Sequence, residues 1–189
     1  MDMIKKVIII GMASISFAAF GGQLKAEEKS VLANDSRNTS VDFNLFKSGK
    51  DLRFCVNNLS GEGSAMDVFR ILLQTADLLK ENNYEKVELC FRNKTKFVLG
   101  GDDFKVIGEE FGEQNPMYTI RTFPEKLTLL DGTKAYETHN GGALYLMRVQ
   151  MADFQDMNGN WFMNDLVSEM KAEKEAKRPK EFAPDEDVF

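Results

Sequence analysis

The spacing of apolar residues changes along the chain, and each change predicts an element. Leu52, Phe54 and Val56 alternate with Arg53, Cys55 and Asn57, and the run Asp42 to Phe46 precedes them across Ser48-Gly49-Lys50. A period of two belongs to a half-buried strand, so a β-hairpin is expected over this stretch. Beyond Ser60-Gly61-Glu62-Gly63 the period lengthens. Ala65, Phe69, Leu72, Leu73, Ala76 and Leu79 share one helical face, and Ser64 with Asp67 three residues on approximates a capping box. A helix is expected over 64–81. Val87, Leu89 and Phe91 then alternate with Glu88, Cys90 and Arg92, and Thr95 to Leu99 answers across Asn93-Lys94 as a second hairpin.

The C-terminal half mixes both periods. Asp102 can cap a helix carrying Phe104, Ile107 and Phe111, with Gly112 as its stop, while Asn115-Pro116 and Phe123-Pro124 bracket a short element of either type. Leu127 to Leu130 and Lys134 to Thr138 flank Asp131-Gly132, which predicts another hairpin. From Gly142 the apolar positions fit strand or helix, and length favours a helix that Asn158-Gly159-Asn160 interrupts before it resumes to about residue 177. Residues 27–40 are polar and without period, which predicts a flexible linker, and 173–189 predict a charged, disordered tail. What remains, 41–172, predicts a single-domain α+β sandwich of antiparallel hairpins packed against an amphipathic helix, with further helices at the C-terminus.

Residues 1–26 have the build of a secretory signal peptide. Lys5 and Lys6 precede an apolar run from Val7 to Phe20, and Gly21-Gly22-Gln23-Leu24-Lys25-Ala26 leads into Glu27 and Glu28. Cleavage is expected after about Ala26, giving a periplasmic or secreted protein. As a helix the apolar run reaches only about 21 Å, short of the roughly 30 Å hydrocarbon core, so no stable membrane insertion is expected once the signal is removed.

Composition narrows the choice of partner. The chain has 189 residues with 24 basic against 30 acidic side chains, a net charge of -6, and losing the leader's lysines makes the remainder more acidic still. Scattered cations on an acidic chain exclude nucleic acid as the expected partner. Cys55 and Cys90 are the chain's two cysteines, each inside an expected strand. In an oxidising compartment they are a plausible disulfide pair, and two isolated buried thiols are the alternative.

Several residues could carry chemistry. Gly100-Gly101-Asp102-Asp103-Phe104 resembles the GG(D/E)(D/E)F signature of diguanylate cyclase domains, and Asp42-Phe43-Asn44-Leu45-Phe46-Lys47 faintly resembles that family's metal-binding segment. The resemblance implies GTP chemistry with Asp42 and Asp103 as magnesium ligands. It covers about a dozen residues; Asn44 stands where a second acid belongs, and export would part the chain from cytosolic GTP. The simpler account of Asp102 and Asp103 is a helix start. His139, in Thr138-His139-Asn140-Gly141-Gly142, is a candidate general base, with Asp102, Asp103 and Glu109 as candidate catalytic acids. One histidine and two distant cysteines do not build a zinc site, so neither metal nor cofactor is expected, although carboxylates leave room for a hard cation. Trp161 and Met157, amid Met147, Met151, Met163 and Met170, could form an adaptable partner groove, or else pack the core.

The side chains for nucleophilic, zinc or nucleotide catalysis are missing or unmatched. The expected function is therefore binding, of an envelope protein or a small ligand, and the alternative is an envelope hydrolase or cation-dependent enzyme using the acidic residues and His139.

Overall fold

Order begins earlier in the chain than its pattern suggests. In the computed structural model, which describes residues 21–177, Gly22–Gln23 form a short strand, β1, Lys25–Asn34 form a helix, α1, and Ser36–Ser40 a 3-10 turn. The expectation of a flexible linker over 27–40 is corrected here, and the cause is tertiary. Val31 is fully buried and Leu24 and Leu32 pack against the core. Glu28 Oε1 accepts from the Leu45 backbone N–H at 2.7 Å. Asn38, also fully buried, donates from Nδ2 to Val31 O at 2.7 Å and to Gln74 Oε1 at 2.6 Å. Polar residues at these positions satisfy one another inside the fold, which a search for apolar period does not detect. Ala26, the expected last residue of the leader, stands in the first turn of α1. Residues 1–20 of that leader lie outside the described residues.

The two clearest hairpins form where the alternation places them. β2 (Val41–Ser48) turns at Gly49, whose φ is +59°, into antiparallel β3 (Asp51–Leu59). α2 (Ala65–Leu79) follows, with Asp67 Oδ2 accepting from the Ser64 backbone N–H at 2.8 Å in the expected capping box. β4 (Lys86–Phe91) then turns through Arg92 and Asn93, both at positive φ, into β5 (Lys94–Gly100). Two consecutive positive-φ residues match the right-handed twist of the strands they join. α2 crosses over so that β3 and β4 lie side by side and parallel, with Leu52 opposite Val87, Phe54 opposite Leu89 and Cys55 opposite Cys90. The hairpins are thus fused through a parallel central pair, where the sequence pattern suggested antiparallel arms alone.

α3 (Gly101–Glu110) and α4 (Pro116–Thr122) lead to β6 (Leu127–Thr128), which completes a six-stranded sheet in chain order from β1 to β6. The hairpin expected around Asp131-Gly132 is narrower than its pattern implies: a two-residue strand on β5 and one bridge from Thr128 to Lys134. Gly132 still turns it, at φ +84°.

α5 (Ala143–Asn158) does not break at Asn158-Gly159-Asn160 as expected. It widens into one π turn, Gly159–Met163, and continues as α6 (Asn164–Ala176). A π turn admits an extra residue without ending the helix, and Trp161 and Phe162 inside it are both fully buried. The Trp161 ring lies 5.8 Å from Phe54 of β3, and its Nε1 donates to Cys90 O at 3.1 Å. Phe69 of α2 meets Phe123 at 5.0 Å and Phe154 of α5 at 5.1 Å, both edge-on. The helices after β5 therefore join α2 in a shared aromatic core, and the α+β architecture holds. Of the tail expected from residue 173, the part to Ala176 is helical and residues 178–189 lie outside the described residues.

One polar cluster spans the central strands. Glu88 is almost buried and accepts from Arg53 Nη2, Lys86 Nζ and Thr95 Oγ1, each at 3.0 Å. Burial would raise this carboxyl, but hydrogen bonds from Lys86, Arg53 and Thr95 overcome it and hold Glu88 below its ordinary value of 4.5. A carboxyl depressed in the folded state stabilises the fold above its unfolded pKa, and that contribution is lost as pH falls through the folded value. Urea midpoints are accordingly expected to fall as the pH drops below 4.5, and Glu88→Gln to flatten part of that slope. Superimposable midpoint-against-pH curves for the two proteins would show that the cluster is not coupled to folding.

Candidate binding pocket

α2 does not close completely against α3 and α4. Met66, Phe69, Arg70 and Leu73 of α2, Ile107 of α3 with Phe111 just beyond it, and Pro116 and Ile120 of α4 bound a cavity of about 400 Å³. Asp35, Arg37 and Gln74 also line it. The volume lies within the range of small-molecule sites, and the lining is largely apolar, with Glu110, Gln114 and Thr119 adding polar groups from the α3–α4 side.

Arg70 is the group that gives the pocket chemistry. Its side chain is 18% exposed. Nε donates to Asn38 Oδ1 at 3.0 Å and Nη1 to Asp67 Oδ1 at 2.7 Å, while Nη2 is buried and finds no hydrogen-bond acceptor among the described residues. Asp35 lies 3.6 Å from Arg70 Nε and also pairs with Arg37, whose side-chain and backbone hydrogen bonds hold the Asp35 carboxyl well below the usual range. Burial opposes ionisation of Asp67, but hydrogen bonds from Ser64 and Arg70 lower it too. Both acids are therefore anionic at neutral pH and fix the guanidinium in place.

The candidate catalytic residues occupy other places. Gly100 ends β5 and α3 begins at once, so Asp102 and Asp103 sit in its first turn. A Cβ at Gly101 would come within 1.8 Å of Tyr84 O, which explains that glycine by close backbone approach. Asp103 pairs with Lys126 at 2.6 Å, while Asp102 is exposed and Glu109 lies 3.8 Å from Lys105. His139 Nε2 meets Asp153 Oδ2 of α5 at 2.6 Å, both about three-quarters buried. Among the described residues no hydrogen bond or ion pair joins Asp102, Asp103 or Glu109 to His139, and no group of three or more His, Cys, Asp or Glu side chains is placed to hold a metal ion. A second cavity of about 500 Å³ contains Asp103, Lys126 and Thr138. Burial, first, and the hydrogen bond to Asp156 raise the Tyr136 hydroxyl above its ordinary range.

Cys55 and Cys90 are joined in a disulfide, with Cα atoms 4.5 Å apart, so neither is a free thiol nucleophile. Trp161 and Met157 are both fully buried and belong to the core, not to a surface groove. The exposed apolar side chains of this region stand elsewhere, Leu144 (85%) and Met147 (50%) at the start of α5 and Met170 (54%) on α6. Sequence reasoning missed Arg70, Asn38 and Asp35. Arg70 reads as the basic half of an Asp67 ion pair on a helix, and the other two fall in the stretch taken for a linker.

Among the described residues no helix is long and apolar enough to cross a membrane. No family model matches this chain, and none of the curated proteins or solved structures compared with it does.

Proposed function

We propose that this protein is exported and works by binding, and that its ligand is a small apolar molecule carrying a hydrogen-bond acceptor, held between α2, α3 and α4. The observation that carries the reading is the cavity itself, lined largely by hydrocarbon, with the Arg70 guanidinium, held by Asn38 and Asp67, among its few polar lining groups. Apolar walls supply affinity in proportion to the area they cover, and one oriented donor supplies direction. Export is supported by the leader-like N-terminus and by the disulfide, which persists in oxidising compartments.

Decanoate and decanol serve as probes, since both offer a hydrocarbon body and an oxygen acceptor. Titration by calorimetry is expected to give saturable binding. Arg70→Met should weaken it about 10- to 100-fold, the loss of a hydrogen bond to a charged group, and Met66→Trp should block the mouth. Equal affinity in all three proteins would contradict the site. The His139–Asp153 pair supports a hydrolase less well, because no hydrogen bond or ion pair among the described residues brings Asp102, Asp103 or Glu109 to it. Leu144, Tyr145 and Met147, all exposed at the start of α5, support a second reading as a protein-docking stripe.

A further inference from the structure

The N-terminal edge of the fold conflicts with a leader cut after Ala26, and we propose that processing falls instead at the Gly21–Gly22 bond. The inference rests on the export reading above. Gly22 and Gln23 pair with Lys47 and Phe46 of β2. The Leu24 N–H donates to Leu45 O at 2.9 Å, and Leu24 O accepts from the Glu28 N–H at 3.0 Å as α1 starts. Gln23 Nε2 reaches both carboxylate oxygens of Glu28 at 3.1 Å, and that carboxylate in turn holds the Leu45 N–H. Residues 22–26 are thus tied to β2 and α1 by backbone and side chain. A cut after Ala26 would remove β1, withdraw Leu24 from the core and take the first residues of α1.

The local sequence points the same way independently. Leader peptidases read small residues at the first and third positions before the cut. Ala19-Phe20-Gly21 meets both requirements, whereas Leu24-Lys25-Ala26 places a leucine at the third. Ala19-Phe20-Gly21 also stands where the apolar run ends, and the cut leaves the edge strand whole. Water adds across the Gly21–Gly22 amide, leaving a carboxylate on Gly21 of the released leader and a free α-amino group on Gly22.

The test expresses the full-length chain in a bacterium, fractionates the cells, and determines the N-terminus by intact mass and terminal sequencing. A periplasmic or secreted product beginning at Gly22 is expected. Gly21→Leu should abolish or displace that cut, and Ala26→Leu should leave it unchanged. An exported product beginning at Glu27, or at any other new terminus, overturns the proposed bond while sparing the export reading. Full-length material retaining Met1 in the cytosol overturns the export reading itself.

Discussion

Replacing Trp161 with alanine is expected to destabilise the protein by about 3 to 5 kcal/mol, the range for truncating a large buried aromatic side chain. The ring is fully buried, lies 5.8 Å from Phe54 and 5.6 Å from Phe162, and donates its N–H to Cys90 O. Its loss leaves a cavity at the join between the C-terminal helices and the central strands, together with a carbonyl that has lost this donor. For a chain of this size the thermal midpoint should fall by about 10 °C or more. Trp161→Phe, which keeps most of the apolar volume and loses only the donor and some packing, should fall between alanine and the unaltered protein. Circular dichroism melts decide the matter. An alanine variant melting within 2 °C of the parent, on the order of a surface change, would mean that the ring is not a core element.

Loss of the Cys55–Cys90 bridge should have an effect of similar size by another route. The two residues face each other in register on parallel strands, and the 35-residue separation between them spans the whole of α2 and its connections. Closing that loop in the unfolded chain is worth roughly 3 to 4 kcal/mol in the chain-entropy account. Cys55→Ser combined with Cys90→Ser should lower the melting midpoint by about 10 °C, and the parent should move toward the double variant when melted with reductant. The double variant should be indifferent to reductant. Two titratable thiols in the unfolded, unreduced parent would contradict the bridge.

The parts of this fold visible in the sequence are those whose cause is local. Alternation at Leu52, Phe54 and Val56 and at Val87, Leu89 and Phe91 reports strands because each such run faces one buried side. The face shared by Phe69, Leu72 and Ala76 reports α2 for the same reason. The pairing of β3 with β4 is invisible at that level, since nothing in either strand says which edge the returning chain will join. α1 is missed because its order comes from partners distant in sequence: Glu28 against Leu45, and Asn38 against Gln74 and Arg70. The helix through Gly159 is missed because glycine and two asparagines oppose helix formation locally, and the burial of Trp161 and Phe162 outweighs them.

The site is less legible than the fold. Phe69, Leu73 and Ile107 read from sequence as ordinary core positions, and a gap between helices belongs to their packing and not to their pattern. Asp102 and Asp103 attract notice as a motif, yet their position at a strand-to-helix junction and the Asp103–Lys126 pair account for them. The pairing of His139 with Asp153 depends on where α5 returns, which no spacing rule supplies.

Methyl NMR of the folded, disulfide-intact protein titrated with decanoate decides whether the cavity between α2, α3 and α4 is a binding site, because it reads where a ligand sits as well as whether one binds. Saturable shifts are expected, concentrated on Leu73, Ile107 and Ile120, with Leu144, Met147 and Met151 unmoved. Shifts confined to the exposed start of α5, or none at any of these methyls, would contradict it.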